Sequence, residues 1–403
     1  MSYVESYYEE PQGNYLLAHW RGDLPLAKSF WINGFLVSLV VTILLAAIGN
    51  ALEDSAMGIT ASSIILLVMT TISILLSIWA WVGIWRSSIH HPDRGGSAGW
   101  AALAQLSVFL GAVKMLVSLG SLGAWWNETM QLAAGGDTLG EMAQVSASGT
   151  DLLLEGVLAN GVADRFDAVL AANPQASRLV VNSAGGRIYE AERIAAAATR
   201  KGLDVTVHTQ CSSACTLILL AGKTRSLEMN SGVGFHRPTY AGLDEVAHSK
   251  MAENLAQAYR EKGLPARFVR RAMEAAPEDM WFPDEPLLFD AGVLNGFTAE
   301  RIAADNELSV SNLAGKLPSQ IDEMTVLEAV RADGKRLTYD YTLDLVDYYL
   351  YPDFEQVMTK SLRDEVCSRP LLPQFFASGA VFEYVYTDHA GRPVSTIRID
   401  SCP

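Results

Sequence analysis

Three long apolar runs dominate the first third of the chain. Residues 30–48, 59–85 and 100–124 are almost free of charge, and each approaches or exceeds the roughly 20 helical residues that a bilayer core requires. Tryptophans sit near their ends, at Trp31, Trp85, Trp100, Trp125 and Trp126, as in an interfacial aromatic belt. Three such runs in succession predict membrane spans rather than buried globular helices. Lys114 falls inside the third run and is expected to face another helix or to snorkel. His90 and His91 lie in a loop with proline and glycine and read as surface residues, not metal ligands. Residues 1–29 are polar and aromatic, without the basic start and short apolar core of a cleavable leader. Arg21 and Lys28 precede the first run, only acids lie between 50 and 58, and arginines lie between 86 and 94. By the positive-inside rule the N-terminal segment and the second loop are cytoplasmic. Everything after Trp126 is then expected outside, which for a protein of an inner membrane means the periplasm.

The pattern changes after residue 126. Residues 127–148 are rich in Gly, Ala and Ser and read as a linker. Short apolar runs then alternate with helical periodicity: strands at 152–158, 177–182 and 204–209, helices at 164–172 and 188–200, an apolar helix after Ser213, and strands at 226–229 and 232–236. Strand–helix alternation implies parallel pairing through right-handed crossovers, the α/β class. Two amphipathic helices follow at 243–262 and 266–276. Residues 315–403 read as a separate small α+β layer, with strands at 325–331 and 336–345, a helix at 354–367, and a hairpin of 380–387 with 394–399. The expected organisation is a cytoplasmic segment (1–29), three transmembrane helices (30–126), a linker (127–148), an α/β domain (149–312) and the C-terminal layer (315–403).

Candidate chemistry gathers in three stretches of the α/β part. Gln210-Cys211-Ser212-Ser213-Ala214-Cys215-Thr216 runs directly into an apolar segment, placing Ser213 where orphan N–H groups at a helix start could stabilise an oxyanion. An isolated serine there would ordinarily be read as an N-cap. The apolar strand ending in Asn182-Ser183-Ala184-Gly185-Gly186 offers bare backbone N–H groups beside it. Gly232-Val233-Gly234-Phe235-His236 places one histidine 23 positions after Ser213, and histidine is the usual acceptor of a serine proton.

These three motifs, in this order, resemble the Clp protease and crotonase superfamily, and within it the serine peptidases. The resemblance covers roughly residues 150–300. It implies Ser213 as nucleophile, His236 as base, and the N–H groups of Gly186 and Ala214, in the turn opened by Gly185, as the oxyanion hole. Ala184 stands where the family usually has proline. The family's third catalytic residue, an aspartate two positions before a phenylalanine, corresponds here to Met280, a departure. Asp279 is the nearest replacement, and Asp284, Asp290 or no acid at all remain open. The two amphipathic helices match the family's oligomer-building arm, implying a homo-oligomer. The C-terminal layer resembles small periplasmic domains of unknown function.

Composition narrows the partners. The net charge is −15 and no Lys/Arg-rich block occurs, which argues against nucleic acid. Nothing calls for a metal or an organic cofactor. Peptides or membrane-protein segments, together with lipid, are the expected partners. All four cysteines lie beyond residue 200. Cys367 and Cys402 are expected to pair. Cys211 and Cys215, bracketing Ser213, read equally as a bridge bracing the turn or as two buried thiols. Two rivals to a peptidase stand: a non-catalytic oligomeric scaffold, favoured by Met280, and an acyl-CoA-processing crotonase, disfavoured by an extracytoplasmic location.

Overall fold

A computed structural model describes residues 14–53, 58–239, 245–345 and 352–403. The first half of the N-terminal segment and the first residues of the helix expected at 243–262 lie outside the described residues. The chain divides into two compact units near residue 138.

In the first unit, α1 (Tyr15–Arg21) is capped by Asn14, whose side chain accepts from the Leu16 N–H. The short α2 (Leu26–Lys28) continues through a π-helical stretch, Ser29–Leu36, into α3 (Val37–Glu53). Then come α4 (Ile59–His90) and α5 (Ala98–Ala133). Three stretches, Leu26–Leu52, Ile59–His90 and Ala98–Val117, are long and apolar enough to cross a membrane. Their large apolar side chains point outward: Ile43, Leu75, Leu103, Phe109 and Leu116 are all more than half exposed. Burial against lipid is the environment in which such a surface is stable. Where the helices touch, glycines admit a neighbour. Gly111 faces the Trp81 ring and Gly34 faces Ile84, as expected where packing rather than hydrophobicity joins helices. α1 is fastened to α4 and the turn that follows it by side chains that take its backbone carbonyls: Trp79 Nε1 donates to Leu16 O at 3.0 Å, Arg86 to Trp20 O at 2.9 Å, and Arg94 to Gly22 O at 3.0 Å. α5 runs past the expected end of the third span to Ala133, so the front of the stretch read as linker is helical.

The second unit begins inside that same stretch, with β1 (Gln144–Ser148) pairing antiparallel to β2 (Asp151–Glu155). The Gly/Ser-rich composition hid this hairpin because β1 buries only Val145. Next in order are α6 (Val162–Ala172), β3 (Arg178–Ser183), α7 (Ile188–Lys201), β4 (Asp204–Ser212), α8 (Cys215–Leu219), β5 (Arg225–Leu227) and β6 (Gly232–Gly234). β2, β3, β4 and β5 pair in parallel, in that spatial order. Leu152, Leu154, Leu179, Val181, Val205 and Val207 point into the core, each at most 1% exposed. The small-residue face of α7, with Ala191, Ile194 and Ala198, packs closely there, and Gly202 closes the helix in the left-handed conformation.

β4 is the organising strand. Its first half pairs with β5, from Val205–Arg225 to Val207–Leu227, and its second half with β6, from Gln210–Gly232 to Ser212–Gly234. It therefore runs three residues beyond its expected end and delivers Ser213 beside β6. After it lie α9 (Glu245–Glu261), α10 (Ala266–Glu274), α11 (Glu285–Asp290) and α12 (Ala299–Ala314). Phe235, Tyr259, Phe268 and Trp281 form one aromatic cluster that holds α9 and α10 against β6.

Residues from 319 onward build a five-stranded sheet of β7 (Ser319–Gln320), β8 (Thr325–Asp333), β9 (Arg336–Leu343), β10 (Val381–Asp388) and β11 (Pro393–Ile399), in the order β11-β10-β9-β8-β7. Only β9 and β10 are parallel, joined through α13 (Phe354–Cys367) and α14 (Leu372–Ala377). Tyr339 stacks on Tyr384 and Tyr341 on Tyr386 at centroid distances of 5.2 and 5.0 Å. This layer shares a hydrophobic core with the α/β sheet: Phe297 meets Phe375, and its N–H donates to Ser378 Oγ at 2.9 Å.

Cys367 is bonded to Cys402, with 5.7 Å between their Cα atoms. The bridge closes a loop of 35 residues, so its contribution by chain entropy is about 3–4 kcal/mol. The double variant Cys367→Ala/Cys402→Ala is expected to lower the melting temperature of the second unit by roughly 5–10 °C, read by circular dichroism of the full chain in detergent. An unchanged transition would show that the bridge adds no stability.

Candidate active site

Ser213 occupies the tight turn between β4 and α8, with φ of 56°. A left-handed serine costs about 1–2 kcal/mol relative to ordinary backbone, so the surroundings must hold it. They do so from three sides. The Ser213 N–H donates to Gly234 O at 2.9 Å, and the Ser213 carbonyl accepts from the Thr216 N–H at 3.0 Å and from Thr216 Oγ1 at 2.6 Å. Cys211 and Cys215 form a disulfide across the turn, with Cα atoms 5.2 Å apart. Of the two readings of these cysteines, the bridge is the one present. α8 has only five residues, shorter than the apolar segment implied, and so carries little macrodipole. The donors this turn offers are individual N–H groups.

Two such groups are open. Gly185 and Gly186 lie on the turn after β3, with φ of 101° and 146°. The turn is fixed by Leu158, whose N–H donates to Gly185 O at 2.9 Å and whose carbonyl accepts from Arg187 N at 2.8 Å. Gly185 presses against the Ser213 turn: a Cβ there would lie 2.6 Å from both Ser212 O and Ser213 Cβ. Neither the Gly186 nor the Ala214 N–H donates a hydrogen bond among the described residues.

His236 follows β6 by two residues and is half-buried. Its Nδ1 lies 2.6 Å from Arg237 O. A carbonyl only accepts, so Nδ1 carries the proton and Nε2 keeps its lone pair, the tautomer a base needs. Burial holds the ring's pKa below its ordinary value, against the upward pull of the Arg237 carbonyl and of the Glu278 carboxylate. Among the described residues no hydrogen bond joins His236 to Ser213, whose hydroxyl is without a partner.

None of the expected acids bonds to His236 among the described residues. Asp279 makes no hydrogen bond or ion pair to His236, Asp284 caps α11 through the Leu287 N–H, and Asp290 ends that helix. The antiparallel bridge of Phe235 with Trp281 puts Met280 opposite His236, and its Sδ packs against Gly234. The position across from the imidazole is thus a thioether. Glu278, which sequence reasoning passed over, is the carboxylate whose charge bears on the ring.

No family model matches the chain, and no curated protein matches it. Among solved structures, ClpP1 from Listeria monocytogenes is 18% identical, over 37% of this chain and 90% of that one, with a TM-score of 0.33. A membrane-bound stomatin-specific protease is 15% identical over 36% of this chain and 77% of its own, with a TM-score of 0.30. The type 2 secretion pilotin from Vibrio vulnificus is 10% identical, over 26% of this chain and 96% of its own, with a TM-score of 0.23. Values of this size mark a loose likeness of parts of the chain.

Gly185→Ala is expected to cost about 3 kcal/mol, from the left-handed backbone and the clash with Ser213. Denaturant unfolding checks it, and a loss below 1 kcal/mol would mean that the two turns can separate freely.

Proposed function

We propose that the second unit is a serine hydrolase acting on peptides or membrane-protein segments. The observation that carries this reading is the left-handed Ser213, flanked by the open N–H groups of Gly186 and Ala214. In this mechanism Ser213 Oγ attacks the substrate carbonyl while His236 Nε2 takes its proton. The Gly186 and Ala214 N–H groups hold the resulting oxyanion, and His236 then returns the proton to the leaving amine. Water reverses the sequence on the acyl-enzyme. The Arg237 carbonyl orients the imidazole in place of an acid, and Glu278 adds negative charge. Without a directly bonded carboxylate the rate falls below that of a complete triad by up to about 10⁴-fold.

Two disulfides favour an oxidising compartment and, with the charge bias of the candidate spans, support a periplasmic location for this unit. Homo-oligomerisation belongs to the same reading. Met280 opposite His236 favours the alternative, a scaffold that keeps the fold without turnover.

A fluorophosphonate probe on the detergent-solubilised protein separates the two. Labelling is expected for wild type, none for Ser213→Ala, and a loss of about 10³-fold for His236→Ala. A folded wild type that stays unlabelled beside a reactive control hydrolase supports the scaffold. The pH profile carries a further expectation. Neutral His236 is the active form and burial lowers its pKa, so labelling persists as pH falls through the ordinary histidine value of 6.5 and is lost only below it. An acid limb above that value would remove His236 as the base.

A further inference from the structure

The Ser213 carbonyl is held by more than its own helix. Thr216 Oγ1 lies 2.6 Å from Ser213 O and also 2.6 Å from the Tyr259 hydroxyl. Thr216 has one hydroxyl proton and the carbonyl can only accept. Thr216 therefore donates to Ser213 O, and Tyr259 donates to Thr216. Both side chains are buried, Thr216 at 0% and Tyr259 at 1% exposure. Burial pushes the Tyr259 phenol up to about 12, so it keeps its proton throughout the working range. The direction of the chain is fixed: Tyr259 on α9, to Thr216 on α8, to the carbonyl of Ser213.

That carbonyl belongs to the same peptide unit as the Ala214 N–H. A trans peptide is planar, with C=O and N–H pointing in opposite directions. Fixing the oxygen at one end therefore aims the hydrogen at the other. Hydrogen bonds donated into the carbonyl also polarise the amide and strengthen its N–H as a donor. The Tyr259 ring meets Phe235 at 5.8 Å, edge to face, and Phe235 directly precedes His236. One side chain on α9 thus supports both halves of the site.

We propose that Thr216 and Tyr259 are positioning residues that clamp the Ser213–Ala214 peptide and keep the Ala214 N–H aimed at the oxyanion. This rests on the hydrolase reading for its catalytic consequence but not for the clamp itself.

Two measurements on the full chain in detergent test it. The first is saturable fluorophosphonate labelling. Thr216→Val is expected to lower the limiting labelling rate about 10- to 100-fold with the half-saturating probe concentration unchanged, in line with the loss of part of an oxyanion donor's effect. Thr216→Ser keeps the hydroxyl and should remain within about threefold of wild type. Tyr259→Phe, which removes only the outer donor and supplies a variant if Thr216→Val folds poorly, should fall between them. The second is amide hydrogen exchange over residues 213–217, expected to quicken in Thr216→Val and Tyr259→Phe but not in Thr216→Ser. Wild-type labelling by Thr216→Val, or failure of serine to restore it, would overturn the positioning role. Unchanged exchange in both folded variants would overturn the clamp. Faster exchange together with an unlabelled wild type would sink the hydrolase reading and leave the clamp standing.

Discussion

One strained residue sets the terms for the second unit. Ser213 adopts a left-handed backbone that serine seldom takes, and nothing within the residue stabilises it. The hydrogen bond to Gly234, the two bonds into its carbonyl, the disulfide between Cys211 and Cys215, and the contact with Gly185 all act on the same two-residue turn. Together they draw on β3, β4, β6 and α8, so the turn is stable only when all four are in place. The divided pairing of β4 supplies that condition: half of the strand serves the sheet and half delivers the serine.

The same crowding explains why several positions admit no side chain. Gly185 abuts Ser213 Cβ, Gly186 abuts the Leu158 backbone, and Gly234 lies under Met280 and Ser212. Three glycines at the ends of two strands, β3 and β6, let the backbones converge closely around Ser213. Met280 fills the ground beyond Gly234, so the imidazole is oriented by a backbone carbonyl rather than a carboxylate.

What was readable in the sequence follows the range of the interactions concerned. The three candidate spans were legible because nearly uncharged runs need no long-range context, although the third helix continues past residue 124 to Ala133. Gly186, Ser213 and His236 stood out because each sits at a strand end with a local signature. β1 was hidden because four of its five residues are exposed, so it lacks an apolar alternation. The place of Met280 follows from its register opposite His236, which local sequence does not reveal. The bond from Thr216 to Ser213 O is a three-residue interaction that a reading of helix starts could have found. Tyr259 lies 43 residues away from Thr216, and no local pattern points to it.

The disulfide between Cys367 and Cys402 has a mechanical consequence. β11 is the outer strand of its sheet, and outer strands are ordinarily the first to peel because a single ladder of hydrogen bonds holds them. Here Cys402, three residues past the end of β11, is covalently joined to Cys367, the last residue of α13. Unzipping that strand therefore loads the helix, and through it the crossover between β9 and β10. On the β11 side the sheet has an exposed margin but no free flap, so opening from that side is cooperative rather than a gradual fraying.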